Sequence, residues 1–221
     1  MSLAAKEANE PSAVTKGEYQ DEAYDQHGEI ISSLRTYYTC GSCIGDSREE
    51  VVSEYIHLIT QLTRRSAFLT MYGLFEHRMS ECLIFMIKLS GYKEKITGKG
   101  GGGIHTLIKS GFNGKGIDDV DHLPVIRNIM IHNDGVAVNY NKTLNIKSKK
   151  TDAEKRLLKA MCRAEGIKVN DFDSVLMDSD FLLYAIGEFE RYIKNLEVLV
   201  QDYSKKGRFE DRNESISLQE S

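Results

Sequence analysis

Three things are scarce in this sequence, and each scarcity narrows the reading. No apolar run approaches the roughly 18 residues that a bilayer-crossing helix requires, so no membrane span is expected. Charge of one sign does not dominate either: the 221 residues carry a net charge of −4, so any anion-binding surface has to be a local patch and not a global field. Cysteine is sparse, with four in the chain: Cys40 and Cys43 in one C-x-x-C, Cys82 and Cys162 apart. A zinc site wants a second ligand pair at comparable spacing, and a thioredoxin-like use wants a βαβ context. Neither pattern is present, so the four read as cytosolic thiols and no metal or cofactor is implied. Residues 1–20, MSLAAKEANEPSAVTKGEYQ, have no apolar signal core, and a cytoplasmic location is expected.

What is present is helical periodicity. Residues 1–26 are polar without a sustained period, which predicts a flexible N-terminal segment. GEIISSLRTYY places Ile30, Ile31, Leu34, Tyr37 and Tyr38 at helical spacing, and CGSCIGDS breaks it. From Ser47 to Leu89 the apolar stripe runs almost unbroken, with Asp46 or Ser47 as cap, a bend allowed near TRRS and Gly91 as stop. GYKEKITGKGGGG and NGKGIDD read as loops flanking a short helix, IHTLIKSGF. A helix over 121–133 follows, with Asp121 as its cap, Pro124 in the first turn and Asn133 and Gly135 after it. VAVNYNKTLNIKSKK alternates like a strand or hairpin. Thr151 and Glu154 form a capping box for the helix TDAEKRLLKAMCRAEG, and IKVNDFDSVLMD reads as a returning strand. Asp178 or Ser179 opens a last long helix, and the tail 205–221 is polar and expected to be disordered.

Two tempting motifs fail on detail. In GKGGGG, Lys99 comes too early for a phosphate loop and a helix precedes it. In GFNGKG, Gly116 stands where the hydroxyl residue should be. The basic run 142–156, KTLNIKSKKTDAEKR, reads as a solvated loop.

The informative stretch is RNIMIHNDG, Arg127 to Gly135. At about 100° per residue, Leu123, Val125, Ile126, Ile129 and Met130 make the core stripe. Arg127, Asn128 and His132 share the other side, with Ile131 the apolar intruder among them. That set suits phosphodiester chemistry. Histidine takes or gives a proton near neutral pH; arginine forks onto phosphate oxygens; asparagine donates to phosphate or fixes an imidazole tautomer. The plainer alternative is that His132 caps the helix end and Arg127 pairs with a surface acid.

RNIMIHNDG at the end of a helix, after the long RRSAFLTMYGLFEHRMSECLIFMIKLSG and before DSDFLLYAIGEFERYIKNLEVLV, resembles the R-x4-6-H signature of the HEPN superfamily. The resemblance covers about residues 48–203 and is greatest to bacterial HEPN proteins that accompany defence or toxin systems. It implies a mainly α fold: a four- or five-helix HEPN-like bundle over 27–204, with a small αβ insertion at about 136–177 before the last long helix. It implies a metal-independent endoribonuclease, toxin or antiviral in setting, that acts on RNA as a homodimer, with a partner protein such as an antitoxin in some systems. Residue by residue, Arg127 and His132 match the motif pair and Asn128 its polar position. Glu76 corresponds more weakly to an acid on the preceding helix, and a salt bridge is its other reading. Asp134 stands where some toxins of the superfamily have tyrosine, so the toxin–antitoxin subtype is in doubt. Two alternatives remain open: a non-catalytic HEPN-like module that dimerises or binds RNA or protein, and a nucleotide-binding regulator.

Overall fold

The structure is a computed structural model that describes residues 3–24, 26–93, 100–110, 112 and 119–217. The chain divides into two compact units, Met1–Arg64 and Arg65–Ser221. The division falls within a continuous helix, α2, which ends the first unit and begins the second.

The first unit holds helix α1 (Leu3–Ala8) and strands β1 (Val14–Tyr24), β2 (Ile30–Cys40) and β3 (Cys43–Gly45). They form an antiparallel sheet in the order β1-β2-β3, registered from Val14 opposite Cys40 to Tyr24 opposite Ile30. Two expectations are corrected here: 14–24 is a strand within what read as a flexible segment, and 30–40 is a strand, not a helix. The physical reason is visible in the side chains. Ile30, Ile31 and Leu34 are exposed, so their helical spacing buries nothing, while the β-branched and aromatic run Thr36–Thr39 favours the extended chain. Cross-strand polar pairs hold the ribbon: Thr15 Oγ1 to Thr39 Oγ1 at 2.6 Å, Gln20 to Ser32 at 2.6 Å and Asp21 to Arg35 at 2.7 Å. Such pairs leave no apolar alternation for a sequence reading to find. At Gly17 the far end of the Tyr37 ring lies where a Cβ would stand, so any larger residue there requires that tyrosine to move. The unit's core is small: Ala8, Cys40 and Val51, with Tyr38, Tyr55 and Ile56 packed against it.

Helix α2 (Arg48–Ser90) starts as its sequence predicts. Ser47 Oγ accepts from the Glu50 amide at 3.2 Å, Glu50 reaches back to the Asp46 amide at 3.0 Å, and Gly91 follows the helix at φ +63°.

The second unit is built on the rest of α2 with α3 (Gly100–Ser110), α4 (His122–His132), α5 (Tyr140–Asn145), α6 (Asp152–Arg163), strands β4 (Ile167–Val169) and β5 (Val175–Met177), and α7 (Ser179–Ser217). The mainly α class is as expected. Helix α3 takes in Gly100–Gly103, which read as loop; the other glycine-loop positions, 94–99 and 113–118, lie outside the described residues. Apolar residues at helical spacing on α2 (Phe68, Tyr72, Phe75, Met79, Met86) meet those of α7 (Phe181, Ala185, Phe189, Tyr192, Leu196) in one core. Aromatic contacts join the two helices: Phe75 stacks on Phe189 at 4.4 Å between centroids, and Phe68 meets Phe181 edge-on at 5.0 Å. Leu107 and Ile108 of α3, and Leu123, Ile126, Ile129 and Met130 of α4, complete it.

The excursion between α4 and α7 differs in detail from its sequence pattern. Residues 140–145 form helix α5, with Asn139 in the left-handed region at φ +62°; the alternation that suggested a strand survives only as a single bridge from Val136 to Ser174. The returning strand is a hairpin, β4 against β5. The capping box of α6 is present, with Thr151 and Glu154 bonded in both directions. Asp178 Oδ1 accepts from the amides of Asp180 and Phe181 and so opens α7. That helix continues through Ser217 and takes in most of the segment expected to be a disordered tail.

Candidate functional site

Helix α4 carries the motif. Its buried residues, Leu123, Ile126, Ile129 and Met130, follow the predicted stripe. Asp121, expected as its cap, has helical backbone angles and makes no side-chain cap bond. Arg127 leaves the helix half-buried and turns toward α2. Its Nη2 donates to Glu76 Oε2 at 2.8 Å and its Nη1 to Asn128 Oδ1 at 2.8 Å. The guanidinium carbon stands 5.4 Å from the centre of the Tyr72 ring, a cation–π distance. Burial, and after it the Glu76 charge, push the Tyr72 phenol up to about 12, against the pull of Arg127. Tyr72 is therefore a neutral floor beneath a fixed cation.

Three of the four predicted residues, Glu76, Arg127 and Asn128, are thus hydrogen-bonded in one chain. The fourth, His132, is not part of it. It ends α4, is exposed, and makes no hydrogen bond or ion pair with a described residue. It does not cap the helix with its side chain: the amides of Asn133 and Gly135 both bond Ile129 O, at 3.2 and 3.1 Å. Asn128, Ile131 and His132 are all exposed, positions three and four apart that share one face. The surface acid expected by the plainer reading of Arg127 is also present, and it is Glu76 itself.

Two contributors were not legible in the sequence. One is Arg65 of α2, which read only as part of a bend. Its guanidinium donates to Asp134 O at 3.1 Å and to Val175 O at 2.9 Å, fixing the turn after His132. Gly135, at φ +81°, has no room for a side chain: a Cβ there would lie 2.5 Å from Arg65 Cζ. Burial lowers the Arg65 pKa.

The other is a polar cluster at the opposite end of α4. The His122 side chain is only 2 % exposed. Its Nε2 is 2.9 Å from the Tyr184 hydroxyl and 3.7 Å from Glu188 Oε2. Glu188 in turn accepts from Arg163 at 2.9 Å and from Arg191 at 2.9 and 3.0 Å, and Arg163 also donates to Asp119. Burial, and then Arg163, hold the His122 pKa down to about 4. Glu188 stays below the ordinary carboxylate range although its burial alone would raise it, because Arg191 and Arg163 outweigh that cost. Apart from Glu188 and Arg191, whose spacing on one helix suggests a pairing, these partners lie at least 25 residues apart in sequence.

The four cysteines are free thiols, Cys40 and Cys43 facing each other across the β2–β3 turn. Burial raises the Cys40 thiol above its usual range. Among the described residues no three His, Cys, Asp or Glu side chains converge as metal ligands, and no helix is long and apolar enough to cross a membrane. No family model, no curated protein and no solved structure matches this chain.

Proposed function

We propose that this chain is a metal-independent endoribonuclease of HEPN type, built on a HEPN-like helical bundle and acting as a homodimer whose two Arg127/His132 sets face one RNA strand. The observation that carries the reading is the state of α4: a guanidinium held in place by Glu76, Asn128 and Tyr72, with an unengaged imidazole exposed at the end of the same helix. Ile131, 48 % exposed between them in sequence, is an apolar contact suited to a second copy. In such a pair, one His132 removes the 2′-hydroxyl proton as that oxygen attacks phosphorus. The other, as imidazolium, returns a proton to the departing 5′ oxygen, leaving a cyclic phosphate. Arg127 meets the charge that grows on the phosphoryl oxygens. Glu76 orients the guanidinium and yields it to phosphate when substrate binds.

The Glu76 ion pair also favours a second reading. An arginine already paired at 2.8 Å serves equally in a non-catalytic module that dimerises or holds RNA or a partner protein. The two part on one experiment. Purified protein incubated with RNA in EDTA is expected to cut it, and His132→Ala is expected to stop cutting while leaving the melting temperature unchanged. Binding without cleavage by the unaltered chain selects the module. Cleavage that survives His132→Ala removes this site from the chemistry.

A further inference from the structure

A cavity lies in the Arg65–Ser221 unit, where the first turn of α4 meets α6. It is about 80 Å³ in volume, and its wall includes Asp119, Asp121, His122, Arg156, Lys159 and Arg163. Arg156, Lys159 and Arg163 stand at three- and four-residue spacing on α6 and so share one face of it.

The imidazole on this wall is oriented by its other neighbours. The Tyr184 hydroxyl lies 2.9 Å from His122 Nε2. A phenol O–H is a stronger acid than a neutral imidazole N–H, so the phenol donates here and Nε2 accepts. The imidazole is neutral, so its own proton sits on Nδ1. That atom is buried and has no hydrogen-bond partner among the described residues. Tyr184 and Glu188, which face Nε2, are not part of the cavity wall, so the Nδ1 edge is the one the ring offers to the cavity. A buried N–H without an acceptor is costly, and this one has a small polar cavity in front of it.

The charges define what could fill it. Asp119 already meets Arg163 at 3.0 Å, and Lys159 acts on it electrostatically. Arg163 is shared between Asp119 and Glu188. Arg156 is exposed and has no hydrogen bond or ion-pair partner among the described residues. Three donors are thus without a hydrogen-bond partner among the described residues, the buried Nδ1–H and the exposed Arg156 and Lys159 side chains, with the Asp121 carboxylate also on the wall. Donors that converge on a confined space ask for a compact ligand made of acceptor oxygens. A chain-internal phosphodiester has a strand leaving on both sides; a terminal phosphate is attached on one side only and can enter.

We infer that this cavity binds a phosphate monoester, with the Nδ1–H of His122 and the guanidinium of Arg156 as its donors. The source is either a free nucleotide or the phosphorylated end of an RNA strand. The inference does not rest on cleavage at His132. It is tested on the full chain by calorimetric titration at fixed ionic strength with inorganic phosphate, a nucleoside 5′-monophosphate, a 5′-phosphorylated oligoribonucleotide and the same oligomer with a 5′-hydroxyl. Saturable binding is expected for phosphate-bearing probes and not for the 5′-hydroxyl oligomer. Preference for the nucleotide or for the phosphorylated oligomer identifies the source. Arg156→Ala, a change at an exposed site, weakens binding about tenfold, the order of one charge-assisted hydrogen bond. Asp121→Asn strengthens it, and His132→Ala leaves it unchanged. In nitrogen-15 spectra the His122 ring shows the Nδ1–H tautomer, and its resonances move on addition of the ligand. Equal affinity for both oligomer ends, equal affinity in Arg156→Ala, or unmoved His122 resonances with every probe overturns the inference.

Discussion

The two ends of α4 hold a histidine each, His122 at the first position and His132 at the last, and they are opposites. His122 is buried, its Nε2 bonded to Tyr184 and backed by Glu188 and two arginines. His132 is exposed, with nothing bonded to it among the described residues. The same side chain is thus buried among fixed partners at one end and exposed to solvent at the other. The difference lies in what packs against each, not in the helix that bears them. Arg127 stands between the extremes: paired, stacked on an aromatic ring, yet open on one side. A polar residue on a helix therefore says little about use until its partners are known.

That contrast can be broken or sharpened in graded steps. The largest effect is expected at the open end, where on the nuclease reading His132→Ala lowers RNA cleavage about 10²- to 10⁴-fold, the usual size of general acid–base assistance, with no change in a urea unfolding curve. A parallel fall in stability would show the histidine to be structural and erase the contrast. At the closed end the effect is on stability. Glu188→Gln weakens the acceptor of two arginines and is expected to cost about 3 kcal/mol, as for other broken buried pairs, measured by urea midpoint.

A comparable loss comes from pH. His122 ordinarily titrates at 6.5 but in the fold only at about 4, so between those values the unfolded chain binds a proton that the folded chain refuses. The stability it contributes is complete above pH 6.5, falls as the solution is acidified and is gone below about 4, on the order of 3 kcal/mol in all. His122→Gln is expected to flatten this slope when unfolding midpoints are compared from pH 7 to pH 4. An unchanged slope would place the imidazole in water. The smallest effect is at Glu76→Gln, where a half-exposed ion pair is lost and stability changes by less than about 1 kcal/mol. On the nuclease reading the same change alters how Arg127 is presented, so cleavage moves while the unfolding curve hardly does.

The sequence was most readable where one helix face is apolar and the other polar. The α2 stripe, the capping box of α6 and the start of α7 could all be read because each depends on neighbours within about one turn. The core face of α4 was legible for the same reason, and so was the outward set of Asn128 and His132. The β1–β2 ribbon was not, because its stability comes from polar pairs across strands such as Gln20 with Ser32, 12 residues apart, and not from a buried face. Asn139, left-handed before α5, turned an alternating stretch into a helix that periodicity could not foresee. At the candidate site, residue types were legible and partners were not. That Arg127 would meet Glu76 was weighed as a possibility for each residue separately; that Tyr184 would bond His122 depended on contacts across 62 positions.

The grip of Arg65 on the turn after His132 carries a consequence for how this protein can change. The rigidity of that helix exit is encoded 69 residues upstream, on a side chain that no substrate at His132 need touch. Variation at Arg65 or Gly135 can therefore retune how steadily the imidazole is presented while every chemical group stays in place. On the nuclease reading, substitutions that alter turnover without altering the machinery should cluster at this remote clasp.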